Sequence, residues 1–333
     1  MAMEITPHLV GFVRGPGLYR MSADVYHADC APEPSLSSSI AKVLLEQSPE
    51  HAALAHPRLR AEKPEDRDAT RPQEIGTVAH KLILGQGAEV VPIDFDDYKK
   101  ADAKTARADA YKAGRCPILM PDLVVAERIA DRVLGRLPLI PGCEGFATAP
   151  AEVVAVVQDR SGAWLRIMMD RVEIHATHAI IWDVKSGDRS AAPHMLGRRI
   201  LDMGMDIQAA LYVRVLSTLF PHLAGRILFR WIFVENAEPN SVTVAEAPEG
   251  MLHNARRKVA LAVHRWNHCR RLDTWHGYPA AIIVPELPGW ADTQWSAREE
   301  AEDQAAREAG APINWDVAAS PFRPLSPKRG RAA

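Results

Sequence analysis

Residues 164–186, WLRIMMDRVEIHATHAIIWDVKS, decide how this chain is to be read. The stretch divides into two extended segments joined by a short polar turn. Each segment sets one aspartate among apolar neighbours, Asp170 in the first and Asp183 in the second, and Lys185 follows two positions later. Side chains alternate faces along a strand, so Asp183 and Lys185 share a face and Val184 points to the other. Paired as a hairpin, the segments bring Asp170 within reach of the same face. Two carboxylates and an ammonium crowded on a half-buried sheet are costly without further compensation. A divalent cation is the simplest compensation, and hard oxygen donors suit Mg²⁺ or Mn²⁺. The bland alternative is that each aspartate caps a strand end in solvent. That serves for one aspartate; the pair with Lys185 favours a metal.

The 333 residues are 47% hydrophobic and 25% charged, enough to bury a sizeable core in one large domain or two small ones. A formal net charge of −2 means that any basic surface must be local. Cys30, Cys116, Cys143 and Cys269 are far apart, with no CxxC, which argues against a zinc ribbon or an iron–sulfur cluster. Reduced buried thiols fit a cytoplasmic protein. No apolar run is long enough to span a membrane, and the N-terminus does not read as a signal peptide.

Working outward, AEVVAVVQD ahead of the hairpin is β-branched and reads as a strand headed by Glu152. Upstream, EIGTVAHKLILG reads as a short amphipathic helix with His80 beside its apolar face, and PDLVVAERIADRVLGRLPLI as a longer one. Ser37 to Ser39 and Ser48-Pro49 read as helix starts. Residues 94–115 are helical in pattern, and residues 58–72 read as a charged loop. Downstream come a helix over 189–203 disturbed at Pro193, the helix DIQAALYVRVLSTLF, strands GRILFRWIFVEN and SVTVAEA, and a long helix over 248–272. Helices bracketing three strands and then a fourth predict a mixed α/β sheet flanked by helices. No GxGxxG or GxxxxGK[ST] follows a strand, so nucleotide-cofactor readings have no support.

Other residues can join the chemistry. His80, a satisfied core histidine if alone, becomes a third ligand if its helix packs over the sheet. Gln208 and Tyr212 lie four apart on one helix face, either as a surface glutamine and half-buried tyrosine or as donors facing the site. Arg166 shares a strand face with Asp170 and could hold that carboxylate or a phosphate. Glu152 could support the site from behind or serve a second metal. Arg128, Arg132 and Arg136 form a stripe on their helix, solvated by default.

With His80 closing GTVAH, then Glu152, LRIMMD, DVKS and QAALY, the chain resembles the PD-(D/E)xK nuclease superfamily, and more narrowly its RecE-type (exodeoxyribonuclease VIII-like) exonucleases, related to the RecB nuclease domain. D-x-K alone is weak; the ordered series is specific. The segment GLYRMSADVYH with SLSSSIAKVLLEQSPEH resembles the start of the same group. The resemblance covers roughly residues 17–290. It implies a restriction-endonuclease-like core. His80, Asp170, Asp183 and the Val184 carbonyl would ligate Mg²⁺ or Mn²⁺, Lys185 would position water, and Gln208 and Tyr212 would touch DNA, with Arg189, Arg198, Arg199 and the 256–258 cluster as candidates to hold its backbone. It further implies 5′→3′ digestion of linear double-stranded DNA leaving 3′ single strands, a RecT-type single-strand annealing partner and a homo-oligomeric ring. The expected organisation is an irregular 1–16, the nuclease domain over 17–290, a helical extension over 291–320 and a disordered basic tail over 321–333. An endonuclease, a single-strand nuclease or a non-catalytic DNA-binding or partner-loading module on this fold remain the competing readings.

Overall fold

The computed structural model describes residues 4–61 and 69–315. The chain divides into two compact units, 1–278 and 279–333. The first is built on a seven-stranded sheet of strands β1 (Ile5–Pro7), β2 (Gly17–Arg20), β5 (Ala151–Gln158), β6 (Trp164–Ile174), β7 (Ala179–Gly187), β8 (Ile227–Glu235) and β9 (Val242–Glu246), in that spatial order. Neighbours pair antiparallel except β1–β2 and β7–β8, so the sheet is mixed. The parallel step from β7 to β8 requires a crossover, supplied by α7 (Pro193–Asp202) and α8 (Met205–Leu219).

Two cores cover the sheet. On one face Ile181, Phe229, Trp231 and Phe233 pack with α8, with α2 (Ser38–Glu46) and with α9 (Glu249–Leu272). On the other, Ile180, Trp182, Val184 and Ile232 pack with α4 (Arg71–Leu84) and α6 (Met120–Arg136). A strand covered on both faces needs an almost unbroken apolar run, which AIIWDV supplies except at Asp183. Trp182 is fully buried; truncating it to alanine costs about 3–5 kcal/mol.

Local signals set the helix starts. Ser37 caps α2 and Ser48 caps α3 (Pro49–Ala55), each accepting an amide N–H three residues on. Gln73 accepts the Thr70 amide at 2.7 Å, so α4 begins before the expected EIGTVAH stretch and ends at Gly85 in a left-handed conformation. Pro193 does not disturb α7; it stands in the first turn, where a missing N–H removes no helical bond.

Three features depart from the sequence reading. Residues 5–7 and 17–20, within the Gly/Pro-rich stretch 1–20 read as irregular, form the parallel strands β1 and β2 at the sheet edge. The small parallel sheet of β3 (Val90–Ile93) and β4 (Cys116–Leu119), flanking α5 (Ala101–Lys112), was not anticipated. The short helix α1 (Ala23–His27) is capped by Ser22. The second unit carries α10 (Gly289–Glu308), where a C-terminal helix was expected. The expected basic tail, 321–333, lies outside the described residues.

Candidate active site

The hairpin turn closes through the His175 amide donating to the His178 carbonyl. From there β6 and β7 pair from Ile174↔Ala179 to Arg171↔Trp182. One step further would set Asp170 opposite Asp183, and there the ladder stops. Beyond that point β6 takes a different neighbour: Leu36 bridges to Leu165, and the Arg166 amide donates to the Leu36 carbonyl. The two aspartates thus stand at the fork where their strands part.

Each carboxylate is held in the fork by a different device. Asp170 Oδ2 accepts the Val184 amide at 2.6 Å and lies 3.0 Å from His80 Nε2. The N–H and C=O of one strand residue face the same neighbour, so the Val184 carbonyl opens to the same gap. Asp183 is 2% exposed; its Oδ1 accepts Lys185 Nζ at 2.9 Å and Gln208 Nε2 at 2.7 Å. Lys185 Nζ also lies 2.7 Å from Oδ2, but that oxygen is buried without a well-formed hydrogen bond. As alternation required, Asp183 and Lys185 share the α8 face, and Val184 packs in the opposite core.

Helix α4 approaches β7 closely enough that a Cβ on Gly76 would lie 3.4 Å from Ser186 Oγ. That proximity, invisible in sequence spacing, lets His80, one turn on, meet Asp170. A depression of about 610 Å³ lined by Gln73, Gly76, Thr77, His80 and Ser186 opens beside it.

Glu152 adopts φ +50, a left-handed conformation at the second residue of β5. The turn it makes is visible in its neighbours: Ala151 packs under α4 and α6, whereas Val153 packs under α8. Such backbone costs on the order of 1–3 kcal/mol and often marks a functional site. Burial pushes the Glu152 carboxyl up and Asp170 adds to this, while His80 and Lys81 oppose it, so Glu152 borders the cluster electrostatically.

The remaining titratable groups divide into two matched pairs. Burial penalises Asp170, but His80 and Lys185 outweigh that and hold its carboxyl below the usual range. Burial likewise works against a charged His80, yet Asp170 and Asp183 raise its pKa. Burial raises Asp183, Lys185 lowers it and Asp170 raises it again, leaving it above an ordinary aspartate. Lys185 is raised because Asp183 and Asp170 overcome its own desolvation. Histidine and lysine thus act as internal counter-ions.

Tyr212 is buried and its hydroxyl donates to the Met168 carbonyl at 2.8 Å, tying α8 to β6 just before Asp170. Arg166 is not brought into the site. It is 3% exposed, and its Nη1 donates to the Ser35 carbonyl (2.6 Å) and hydroxyl (2.8 Å) and lies 3.0 Å from Asp29 Oδ1. The alternation that placed it beside Asp170 holds only up to the fork; past it, β6 faces the segment carrying Asp29 and Ser35. The sequence reading also missed buried Glu74 on α4, which accepts from Tyr98 (2.9 Å), Tyr111 (2.8 Å) and Arg107 (2.8 Å) and fastens α5 to the His80 helix.

The family model of the PD-(D/E)XK nuclease superfamily matches residues 35–309, which include every residue of this cluster. The chain belongs to that superfamily. Among solved structures, a protein from Eubacterium rectale named "Putative exonuclease" aligns over 82% of this chain and 98% of its own, at TM-score 0.53 and 12% identity. This likeness supports the fold, a mixed sheet flanked by helices in the PD-(D/E)XK arrangement. A second, SSO0001, aligns over 68% of this chain and 85% of its own at TM-score 0.26 and 11% identity, too distant to carry an argument. No curated protein matches.

PD-(D/E)XK nucleases generally use divalent metals and act on DNA. The donor set fits such an ion: two carboxylates, an imidazole and a free-facing carbonyl at one fork, with one buried Asp183 oxygen poorly satisfied. Among the described residues no three His, Cys, Asp or Glu side chains form a ready-made cage. The counter-ions Lys185 and His80 are drawn onto the oxygens instead. Among the described residues no helix is long and apolar enough to cross a membrane.

Proposed function

We propose that this PD-(D/E)XK nuclease is a Mg²⁺- or Mn²⁺-dependent exonuclease of RecE type, digesting linear double-stranded DNA 5′→3′ to leave 3′ single strands for recombination. The observation that carries the reading is the fork itself, where Asp170 and Asp183 emerge from parting strands with His80 on one and Lys185 on the other. His80, Asp170, Asp183 and the Val184 carbonyl would hold the ion. When bound, it supplies positive charge to the scissile phosphate and makes water a better nucleophile.

The chain's own groups do the rest. The Val184 amide and Gln208 fix the two carboxylates, so little reorganisation is needed as charge develops. Lys185 holds the attacking water and offsets charge growing on phosphate oxygens. Tyr212, buried and bonded to the Met168 carbonyl, positions the strand that bears Asp170 rather than touching DNA, and half-buried Gln208 beside Asp183 is the member of the pair that faces the substrate. Glu152 supports the cluster from behind or serves a second ion. The nuclease domain, expected over 17–290, corresponds to the first unit, whose sheet also takes in β1, and the second unit carries α10 as a C-terminal extension. A RecT-type annealing protein, a homo-oligomeric ring and a cytoplasmic location belong to the same reading through the RecE resemblance.

The test is digestion of end-labelled linear duplex with Mg²⁺ or Mn²⁺, comparing the wild type with Asp183→Ala and Lys185→Ala. Both variants should lose activity by at least a hundred-fold, the order expected for removing one preorganised electrostatic group. Undiminished digestion by either overturns the site. Covalently closed circles should survive; their cleavage would make the enzyme an endonuclease.

A further inference from the structure

A second concentration of positive charge lies just past the C-terminal end of β7. A cleft of about 260 Å³ is lined by Arg189, Ser190, Met195, Arg198, Arg199 and Asp202. It continues the catalytic face of the sheet. Same-face residues on a strand are about 7 Å apart, so Gly187 is one such step beyond Lys185. A Cβ there would lie 3.8 Å from Arg199 Nη2. Arg199 also stacks 4.8 Å over the ring of Phe233, the residue that pairs in register with Lys185.

The cleft is braced from within. Arg199 is buried, and its Nη1 donates to the carbonyls of Arg189 (2.9 Å) and Ser190 (3.2 Å). Glu235 holds the same loop from the other side, accepting the Ser190 hydroxyl at 3.1 Å and the Ala191 amide at 2.7 Å. What the bracing presents outward is Arg189, exposed and without a partner among the described residues, and Arg198, whose side chain is 84% exposed beside Asp202 at 3.4 Å. The lining of the cleft thus carries three guanidiniums and one carboxylate, Asp202, with Glu235 behind the loop as the counter-charge nearest Arg199. Arg199 keeps a buried Nε–H with no hydrogen-bond partner. Like charges side by side at the surface are stabilised by an anion between them, and planar guanidiniums match phosphate oxygens.

We propose that this cleft is a subsite for an internal phosphodiester of the DNA backbone, flanking the bond that is cut. The inference rests on the nuclease reading of the Lys185 fork, because that fork places the cleft along the path of the cleaved strand. Arg189 and Arg198 grip the phosphate, and Arg199 is a positioning residue that shapes the loop.

The experiment measures equilibrium binding of a fluorescent 5′-hydroxyl duplex to the full chain in EDTA, across a salt series. Each phosphate contact contributes about 0.9 to the slope of log affinity against log salt. Arg189→Ala/Arg198→Ala removes the grip on one phosphate and should shallow the slope by about 0.9, and the charge-conserving Lys/Lys pair should keep most of it. Arg132→Ala, an exposed arginine on α6, should leave it unchanged. An unaltered slope in the Ala/Ala variant, or an equal change from Arg132→Ala, overturns the proposal. So does a loss confined to 5′-phosphorylated duplexes, which would assign the cleft to a terminal phosphate. Unfolding midpoints of all variants establish that the fold is retained. Binding in EDTA is independent of cleavage, so failure of the catalytic assignment, read from Asp183→Ala digestion, is separable from failure of the subsite.

Discussion

Arg166 offers the sharpest separation between a DNA contact and a structural anchor, because the two roles move different observables. Replacing it with methionine keeps most of the apolar stem and removes the guanidinium. The loss comprises the two Ser35 hydrogen bonds and the ion pair to Asp29. Asp29 has no side-chain exposure, so its carboxylate cannot turn to water. Breaking one side of a buried ion pair costs about 3–5 kcal/mol. Asp29 retains His56 at 3.2 Å, Arg58 at 3.5 Å and the Ser35 amide and hydroxyl, so the lower end, about 3 kcal/mol, is expected here. At roughly 2–4 °C per kcal/mol for a domain of this size, the unfolding midpoint should fall by about 6–12 °C.

The assay pairs urea or thermal unfolding with the salt dependence of DNA binding below the midpoint. A phosphate contact would remove about 0.9 from the salt slope; an anchor removes none. Combining Arg166→Met with Asp29→Asn should cost less than the two changes separately, since the partner left charged is itself gone. A shallower slope with an unchanged midpoint would refute the structural role.

Other consequences follow from the same geometry. Burial raises the Asp29 carboxyl, but His56, Arg166 and Ser35 bring it below the usual range. Its stabilising contribution is therefore complete above its unfolded pKa of about 3.9 and is lost as pH falls through the lower folded value. The stability deficit of Asp29→Asn against wild type should shrink across that window in urea titrations; a constant deficit would contradict it. The raised His80 must give up its proton to ligate an ion. Apparent Mn²⁺ affinity without DNA should weaken as pH falls from 8 to 6, with close to one proton released per ion near the lower pH. Calorimetry in buffers of different ionisation enthalpy counts that proton, and finding none removes His80 from the ligand set. Tyr212→Phe strips the Met168 carbonyl of a buried donor, and should lower stability by about 1 kcal/mol with a smaller effect on digestion than Asp183→Ala.

Half of the cluster was legible because it depends on contacts of short reach. Asp183, Val184 and Lys185 are consecutive, and the two-residue period alone puts the carboxylate and ammonium together. Gln208 and Tyr212 required one more inference, that a helix following the hairpin packs on that face, and the crossover needed to reach a parallel strand supplies it. β3 and β4 escaped notice because each is four residues long and contains a proline, which argues against a strand unless a partner remote in sequence is known. Glu74 sits in a helix whose sequence shows only an acidic residue in its first turns. Its burial is created by Tyr98, Tyr111 and Arg107, 24 to 37 positions away.

The fork explains why Asp170 and Arg166, four residues apart on one strand, have opposite fates. Periodicity assigns both to one face, as though β6 had the same surroundings along its length. The pairing with β7 ends at Arg171, and the contact of Leu36 with Leu165 takes over. Asp170, the first residue past the ladder, loses a strand neighbour and turns its carboxylate toward the Val184 amide thus exposed. Arg166, a turn of the pleat deeper, meets a segment 131 positions earlier in the chain and is sealed by it. An unfilled backbone gap between parting strands is what a cation and a phosphate can occupy, whereas a gap refilled by another segment becomes core. Where two strands separate therefore decides which charged residues remain available for chemistry. Two features coincide with that point, the left-handed turn at Glu152, which falls opposite Asp170 in the β5–β6 register, and the arrival of Leu36, and neither is encoded in local sequence pattern.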